Sequence, residues 1–330
     1  MMSDMTNSHF LTVENLTKTF SVDQNIFALK KNGVQAVRDV SFTLERGQTL
    51  GLVGESGCGK STLGRCLVRL LDADSGRINY QGQDIANIKG EELRKLRRKI
   101  QMIFQDPFSS LNPRMSVGDL LEEPLEIHKL FSSKKDQQDR VSQLMELVGL
   151  RQDMKDRYPH EFSGGQRQRI GIARALAVEP ELVICDEPVS ALDVSIQAQV
   201  VNLLMDLQQK LGLTYIFIAH DLKVVQFISD QIAVMYLGQI VEKASMLELV
   251  KNPKHPYTKA LFSSIPQISK NQMEQKKTQK ILLQGEVPSP LTPPTGCSFH
   301  TRCPQAQPQC QQIEPQLLML ENAHQVRCPF

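Results

Sequence analysis

The stretch Gly54-Glu55-Ser56-Gly57-Cys58-Gly59-Lys60-Ser61-Thr62 follows the pattern G-x-x-x-x-G-K-[ST] of a phosphate-binding loop. An apolar run, 49–53, precedes it and predicts a buried strand, and apolar residues at helical spacing follow it as far as Leu71. A strand, a glycine loop and a helix in this order direct backbone N–H groups at a polyphosphate. Lys60 is then expected to reach the β- and γ-phosphates, and the Ser61 hydroxyl to bind Mg²⁺. An ordinary glycine turn is the alternative, but the flanking strand and helix favour a nucleoside-triphosphate site.

Length and composition restrict the class of protein. The 330 residues are enough for a sizeable core and more than one domain. The 38 Lys and Arg residues nearly balance the 36 Asp and Glu residues, so no overall basic field predicts a nucleic-acid partner. A basic run at 94–99 has no interleaved aromatic residues, which favours a solvated helix face over a nucleic-acid patch. The first residues lack the pattern of a secretory signal, and no apolar run reaches the length of a membrane span, so we expect a soluble, cytoplasmic chain.

Strand-like and helix-like segments alternate along most of the chain. Apolar patterns predict strands at 11–16, 40–45, 49–53, 76–79, 100–104, 182–186, 215–219 and 232–236. Helical patterns dominate about 106–178, which we interpret as a helical insertion in a nucleotide-binding core. Strands that alternate with helices predict an α/β fold with a largely parallel sheet. A polar linker is predicted at 266–285, and a proline-rich, cysteine-bearing segment, 286–330, follows it.

Two acidic residues end a second apolar strand, Leu182-Val-Ile-Cys-Asp-Glu. Asp186 lies where a carboxylate beside a phosphate-binding loop can hold Mg²⁺, directly or through water. Glu187 is placed to face the γ-phosphate and to act as general base on the attacking water. The alternative, an acidic turn that closes a strand, is disfavoured by the phosphate-binding loop in the same chain. Cys185 lies inside the strand and is interpreted as a core residue.

A third stretch, Glu161-Phe-Ser-Gly-Gly-Gln-Arg-Gln-Arg169, leads into a predicted helix. Ser163 before two glycines is an anion-binding geometry at a helix start, although Ser-Gly-Gly is also a common loop sequence. Together with the two previous stretches, it resembles the ATP-binding-cassette (ABC) family, whose signature usually reads Leu-Ser-Gly-Gly-Gln. Phe162 in the first position is a departure that leaves the serine and the glycines intact.

The resemblance implies roles for further residues. Gln105 matches the Q-loop glutamine, which touches Mg²⁺ and water, and His220 matches the switch histidine, which contacts the γ-phosphate. For His220, a strand-end histidine with a purely structural role is the alternative. Asp193, in Ser-Ala-Leu-Asp, matches the D-loop, and Phe20 matches the aromatic residue that stacks on adenine, where Tyr is more usual. The implied nucleotide-binding residues are Phe20, Gly54, Glu55, Ser56, Gly57, Cys58, Gly59, Lys60, Ser61, Thr62, Ser163, Gly164, Gly165, Gln166 and Asp193. The implied catalytic residues are Gln105, Glu187 and His220, and the implied Mg²⁺ ligands are Ser61, Gln105 and Asp186.

The family also implies a fold and a mechanism. Its members have a P-loop ATPase core with an antiparallel β subdomain and a helical subdomain, and we place this cassette at 10–265. In the family, two cassettes face each other head to tail, and ATP lies between the P-loop of one and the signature of the other. The γ-phosphate draws the two surfaces together, and hydrolysis reopens them. ATP and Mg²⁺ are therefore the implied cofactors.

Three stretches resemble the ATPases of dipeptide and oligopeptide importers more narrowly. They are 107–113 (PFSSLNP), 188–199 (PVSALDVSIQAQ) and 255–261 (HPYTKAL), and the Phe-Ser-Gly-Gly-Gln form of the signature resembles the F-type subunit of such systems. The resemblance implies a sister ATPase in a heterodimer, two permease subunits and an extracytoplasmic solute-binding protein. It places this chain at the cytoplasmic face of the inner membrane. Peptides are the favoured solute, but similar systems carry nickel, haem-like compounds and glycosides.

Four of the seven cysteines lie near the C-terminus, namely Cys297, Cys303, Cys310 and Cys328. They form no Cys-x-x-Cys pair and so fit a zinc ribbon poorly, whereas their spacing suits a four-thiolate iron–sulfur cluster. The corresponding segment of the importer subfamily carries the same cysteines, with a [4Fe–4S] site in some members. Our hypothesis is a [4Fe–4S] cluster, with zinc and free thiols as alternatives. His300 and His324 nearby are interpreted as solvated loop residues.

Two other functional classes stay open. A soluble ABC ATPase that acts on ribosomes or DNA usually has two cassettes or a long coiled-coil insertion, whereas this chain has one cassette and a short insertion. An interaction module that has lost activity is disfavoured because Lys60, Asp186, Glu187 and His220 are all intact.

Overall fold

The computed structural model describes residues 9–21, 33–264 and 281–330. The strands are β1 (Leu11–Ser21), β2 (Gly33–Leu44), β3 (Thr49–Val53), β4 (Ser75–Tyr80), β5 (Gln83–Asp84), β6 (Ile100–Ile103), β7 (Leu182–Asp186), β8 (Thr214–Ile218), β9 (Gln231–Tyr236), β10 (Gln239–Ser245), β11 (Leu318–Met319) and β12 (Gln325–Val326). The α-helices are α1 (Lys60–Leu67), α2 (Gly90–Lys99), α3 (Pro107–Ser110), α4 (Val117–Ile127), α5 (Lys134–Leu147), α6 (Gly164–Leu176), α7 (Val194–Leu211), α8 (Leu222–Ile228), α9 (Met246–Lys251) and α10 (Pro256–Ser263). Short 3₁₀ turns lie at Gln152–Met154, Pro159–Glu161, His300–Arg302, Pro308–Gln311 and Glu321–Ala323.

The larger sheet has eight strands in the order β11-β12-β10-β9-β3-β8-β7-β6. Strands β9, β3, β8, β7 and β6 run parallel to one another, whereas β10 pairs antiparallel with β9. Every residue of β3, β7 and β8 is buried, which explains why these strands are continuous apolar runs rather than alternating patterns. The mixed α/β architecture predicted from the sequence is therefore confirmed.

A second sheet has four antiparallel strands in the order β2-β1-β4-β5. Leu11, Val13 and Leu16 of β1 are buried, and the strand continues well past the predicted 11–16 segment. The register between β1 and β2 shifts three times, so the long pair bends through irregularities rather than running as a flat ladder. This sheet carries Phe20 at the far end of β1.

Helices α3 to α6 lie between β6 and β7 in the chain, within the predicted helical insertion. The apolar side of helix α4 packs into the same core as the buried side of α5. Ser116 begins α4 through a capping box with Asp119, which satisfies free backbone N–H groups at the helix start. Helix α1 is shorter than predicted and ends at Leu67, because Arg69 has a left-handed backbone with φ of 57° and turns the chain away.

Residues 281–330 contain little regular structure, but two short strands attach them to the larger sheet. Strand β12 pairs with β10, and β11 pairs with β12, both antiparallel. Strands β10, β11 and β12 have no counterpart among the strands predicted from the sequence. Residues 266–280 of the predicted linker 266–285 lie outside the described residues, and 281–285 are irregular. Within the described ranges, no helix is both long and apolar enough to cross a membrane.

Candidate functional site

Four stretches singled out in the sequence follow the carboxyl ends of neighbouring parallel strands. The loop 54–59 follows β3, Glu187 follows β7, Gln105 lies just beyond β6, and His220 lies just beyond β8. Because β6, β7, β8 and β3 are parallel neighbours, their carboxyl ends meet at one edge of the sheet. Ligands of open α/β sheets bind at this edge.

The phosphate-binding loop is shaped by glycine and by its own lysine. Gly59 has φ of 105°, and a Cβ there would lie 1.9 Å from the Ala36 carbonyl oxygen, so only glycine fits. The Lys60 Nζ donates hydrogen bonds to the carbonyl oxygens of Gly54, at 2.8 Å, and Glu55, at 3.0 Å. With only 5% of Lys60 exposed, its ammonium group is held inside the loop. The loop thus presents positive charge and backbone N–H groups together.

Ser61 and Asp186 join the loop to the end of β7. The Ser61 hydroxyl donates a hydrogen bond of 2.7 Å to Asp186 Oδ1. Asp186 is only 2% exposed, and burial raises the pKa of its carboxyl, while the Ser61 hydrogen bond acts in the opposite direction. A hydroxyl beside a carboxylate is a set of hard oxygen donors, which suits Mg²⁺.

Glu187 receives contacts from the other two strand ends. Gln105 Nε2 donates a hydrogen bond of 2.8 Å to Glu187 Oε2, and His220 Nδ1 lies 3.5 Å from the same oxygen. Glu187 has a left-handed backbone, with φ of 47°, and its N–H donates to the Ile218 carbonyl oxygen. For a residue other than glycine this conformation costs about 1–3 kcal/mol, and such strain occurs most often at functional sites. The turn directs the Glu187 carboxylate away from β7 and toward Gln105 and His220.

A cavity of about 470 Å³ lies over these groups. Its lining consists of Phe20, Val34, Ala36, Ser56, Gly57, Gly59, Lys60, Ser61, Thr62, Gln105, Glu187 and His220. Phe20 is 39% exposed and is the only Phe, Tyr or Trp among these described lining residues. Of the other predicted residues of this site, Gly54, Glu55, Cys58 and Asp186 do not line the cavity.

The signature and D-loop residues form a separate arrangement. Ser163 begins α6 with a capping box, in which its hydroxyl accepts from the Gln166 N–H at 3.3 Å and Gln166 Oε1 accepts from the Ser163 N–H at 3.0 Å. A Cβ on Gly165 would lie 2.4 Å from Ile196 Cγ2, so the signature packs against the first turn of α7. Asp193 begins that helix by accepting from the Ile196 N–H at 3.0 Å. These residues lie next to one another, and none of them lines the cavity.

None of the four C-terminal cysteines forms a disulfide. Burial raises the pKa of Cys297 to about 11, and the neighbouring thiols of Cys310, Cys328 and Cys303 add to the rise. Among the described residues, however, no group of three or more Cys, His, Asp or Glu side chains is arranged to hold a metal ion. The geometry therefore does not support the predicted iron–sulfur cluster or the zinc alternative.

The interpretation of His324 as a solvated loop residue is wrong. His324 is 1% exposed, and its Nε2 lies 2.6 Å from Oε1 of the fully buried Glu242. That carboxylate also accepts from the N–H groups of Lys254 and His255. A buried carboxylate needs partners, and a loop histidine supplies one here. Sequence pattern could not reveal this pairing because the two residues lie 82 positions apart.

Sequence reasoning also missed two residues that contact the phosphate-binding loop. The Tyr257 hydroxyl accepts a hydrogen bond of 3.0 Å from the Glu55 N–H. Arg302 forms two hydrogen bonds with the Glu55 carboxylate, at 2.8 and 3.1 Å. Tyr257 lies in the stretch HPYTKAL, whose sequence indicates only the importer subfamily, and nothing in the sequence connects Arg302 with Glu55.

Known proteins with similar sequences are ATP-binding subunits of transporters. Residues 37–190 match the family model described as ABC transporter, and residues 241–310 match that described as oligopeptide/dipeptide transporter, C-terminal region. The chain is 51% identical over 319 residues to the oligopeptide transport ATP-binding protein AppF of Bacillus subtilis (strain 168), covering 96% of each chain. It is 54% identical over 297 residues to OppF of Salmonella typhimurium (strain LT2), covering 89% of this chain and 87% of the relative.

Solved structures show the same fold. The dimeric, post-hydrolysis structure of the ATP-binding cassette MJ0796 bound to ADP and Pi matches with a TM-score of 0.63 at 26% identity, over 72% of this chain and 98% of that one. CbiO1 of Clostridium perfringens, part of the ABC transporter complex cbiONQ, matches with a TM-score of 0.64 at 28% identity, over 74% of this chain and 91% of that one. The chain is an ATPase of the ABC transporter family and belongs, within it, to the oligopeptide/dipeptide transport ATP-binding proteins.

Proposed function

We propose that this chain hydrolyses Mg·ATP in the cavity described above and thereby powers an importer of dipeptides or oligopeptides. The observation that carries the proposal is the convergence of Lys60, Ser61, Gln105, Glu187 and His220 on one cavity at the carboxyl edge of the sheet. The similarity to oligopeptide transport proteins over nearly the whole chain supports peptides as the solute.

ATP binding follows from the charges in the cavity. Phe20 stacks on the adenine, while Lys60 and the N–H groups of the loop 54–62 bind the triphosphate. Ser61 and Asp186 hold Mg²⁺, with Gln105 as a further ligand. Mg²⁺ is usually bound by one or two protein groups together with substrate phosphates and water, so a cage made only of protein side chains is not required. The ion neutralises charge that develops on the phosphates.

Hydrolysis follows from the groups around Glu187. Its carboxylate accepts the proton of the attacking water, and Gln105 orients that carboxylate through the 2.8 Å hydrogen bond. His220, whose side chain is 61% exposed at the mouth of the cavity, contacts the γ-phosphate. The remaining contribution is electrostatic stabilisation of phosphoryl transfer by Lys60 and the loop N–H groups.

A second cassette completes the site. Ser163, Gly164, Gly165, Gln166 and Asp193 lie together but outside the cavity, so their proposed contact with ATP must be made to the nucleotide of a partner. The dimeric form of the solved MJ0796 cassettes supports this arrangement. We propose a sister ATPase as the partner. Two permease subunits and an extracytoplasmic solute-binding protein complete the importer, with this chain at the cytoplasmic face of the inner membrane.

The test is ATP-dependent association and transport. The chain is mixed with its sister ATPase, and Lys60→Ala is compared with wild type for ATP binding, dimer formation and peptide uptake in reconstituted vesicles. We expect Lys60→Ala to lose all three. Wild-type ATP binding by this variant would refute the assigned nucleotide site. If the wild-type chains formed ATP-dependent dimers and supported uptake of another solute but not of peptides, only the assignment of peptides as the solute would be refuted.

The domain division and the iron–sulfur cluster are two further hypotheses, and each has its own test. The division into a cassette at 10–265, a linker at 266–285 and an extension at 286–330 is testable by limited proteolysis, which should cut first within the linker. The iron–sulfur hypothesis for Cys297, Cys303, Cys310 and Cys328 lacks support from the geometry of the described residues. The test is iron analysis of anaerobically purified protein, and protein without iron would refute the cluster.

A further inference from the structure

The C-terminal segment contacts the phosphate-binding loop through an ion pair. In the 3₁₀ turn His300–Arg302, both terminal nitrogens of the Arg302 guanidinium donate to the two carboxylate oxygens of Glu55, at 2.8 and 3.1 Å. The side chains are 8% exposed for Arg302 and 28% exposed for Glu55. Two parallel, charge-assisted hydrogen bonds fix both the position and the orientation of the carboxylate.

The same segment also supports the backbone of Glu55. The Phe299 ring, which is 1% exposed, lies 5.4 Å from the Tyr257 ring and 5.2 Å from the Tyr236 ring, centroid to centroid. The Tyr257 hydroxyl in turn accepts from the Glu55 N–H. The C-terminal segment therefore contacts Glu55 at its side chain directly and at its backbone through one tyrosine.

The negative charge of Glu55 gives this contact an electrostatic role in addition to packing. Glu55 is the only acidic residue in the loop sequence 54–62, and that loop receives a triphosphate in the proposed function. A carboxylate at this position repels the phosphates unless its charge is compensated. Arg302 compensates it without contributing to the cavity, because neither Arg302 nor Glu55 is among the lining residues.

We propose that Arg302 is a positioning residue for the ATP site, which neutralises Glu55 and holds the phosphate-binding loop in its ATP-accepting form. The proposal rests on the assignment of this loop as the nucleotide site. It makes ATP affinity depend on the C-terminal segment, although that segment contributes no residue to the cavity.

A simpler role for the pair is attachment of the segment to the cassette, but other contacts already provide that. Arg327 Nη2 lies 3.2 Å from Asp39 Oδ2, and its Nε donates to the Ile240 carbonyl oxygen. Arg38 Nη2 lies 3.1 Å from Glu314 Oε1, and β12 pairs with β10. Loss of the Arg302 pair should therefore leave the segment in place and affect mainly the charge and position of Glu55.

The experiment compares charge states at the two positions in the full-length chain. Mg·ATP binding is measured by calorimetry for Arg302→Gln, Glu55→Gln, the double variant Glu55→Gln/Arg302→Gln and the conservative Arg302→Lys. We expect Arg302→Gln to raise the Kd for Mg·ATP roughly tenfold, because the Glu55 charge is then uncompensated beside the phosphates. The double variant and Arg302→Lys should return to within about threefold of wild type. Steady-state turnover should show a raised KM for Arg302→Gln with little change in kcat.

Glu314→Gln is the matched control, since it removes a charge from another ion pair between the segment and the cassette. It should leave the Kd unchanged. Thermal unfolding of each variant shows whether the segment stays attached. The positioning role would be overturned if the double variant failed to recover affinity for Mg·ATP. It would also be overturned if Arg302→Gln kept the wild-type Kd while Lys60→Ala lost binding. Retention of binding by Lys60→Ala would instead refute the nucleotide site itself.

Discussion

Replacement of Glu187 by glutamine tests the assigned general base most directly. Glutamine has nearly the same shape as glutamate, and its side-chain oxygen can still accept the 2.8 Å hydrogen bond from Gln105 Nε2. The left-handed backbone at this position is strained for either residue, so the substitution adds no new strain. The change therefore removes the negative charge and the proton-accepting capacity while the fold is kept.

The size of the effect follows from that loss. A positioned general base contributes about 10²–10⁴-fold to a rate, equivalent to about 3–5 kcal/mol of activation free energy. Ground-state binding of ATP depends instead on Lys60, Ser61 and the loop N–H groups, none of which is altered. We expect Glu187→Gln to lower kcat by at least about 100-fold and to leave the Kd for Mg·ATP within about threefold of wild type.

The assay is phosphate release under saturating Mg·ATP, with nucleotide binding measured in parallel. Glu146→Gln, at an exposed position on α5 remote from the cavity, removes the same charge and serves as the control with wild-type turnover. A Glu187→Gln variant that turns over within about threefold of wild type would show that another group accepts the proton. Equal losses of binding and turnover would show that Glu187 acts on ATP binding rather than on the chemical step.

Three further predictions concern stability. Burial lowers the pKa of His255 from 6.5 to about 3, with Lys259 adding to the effect. As the pH falls below about 6.5, the His255 imidazole is protonated in the unfolded chain but stays neutral in the folded one. The free energy of unfolding, measured with urea, should therefore be about 2 kcal/mol lower at pH 5 than at pH 7, and His255→Asn should not show this loss. Phe299→Ala should cost about 3–5 kcal/mol in thermal unfolding, whereas Phe227→Ala, at an exposed position of α8, should cost less than about 0.5 kcal/mol. Gly165→Ala should cost about 1–3 kcal/mol because its Cβ would meet Ile196 Cγ2 at 2.4 Å, and Ile196→Ala should relieve most of the added cost in the double variant.

The central part of the fold and most of the cavity could be predicted from the sequence because their determinants are local. Strand β3, the glycine loop and α1 are adjacent in the chain, and β7 ends directly in Asp186 and Glu187. Parallel pairing then brings the carboxyl ends of β6 and β8 to the same edge of the sheet. Gln105 and His220 follow these strands, so the topology alone places both residues near the phosphate-binding loop. Of the residues expected to bind nucleotide, the signature group Ser163–Gln166 and Asp193 do not line the cavity, and no local pattern in the sequence indicates this separation.

The missed features depend on contacts between residues far apart in the chain. Strand β12 consists of Gln325 and Val326, and a two-residue strand has no periodic pattern. Its existence depends on the edge that β10 offers. Arg302 and Glu55 lie 247 positions apart, and His324 and Glu242 lie 82 positions apart. Ion pairs across such distances leave no trace in spacing or hydropathy, so the sequence alone predicts His324 to be a solvated loop residue and gives no partner for Arg302.

The attachment of the last residues to the first part of the chain has a consequence for biosynthesis. The edge of β10 receives its partner β12 only after residue 326 has left the ribosome, and Arg302 reaches Glu55 only when the turn at 300–302 has been translated. Domains generally fold in order from the N-terminus during translation. A nascent chain in which β10 has already formed therefore still carries an open sheet edge, and its Glu55 lacks the Arg302 partner, until residues 302 and 326 have been translated.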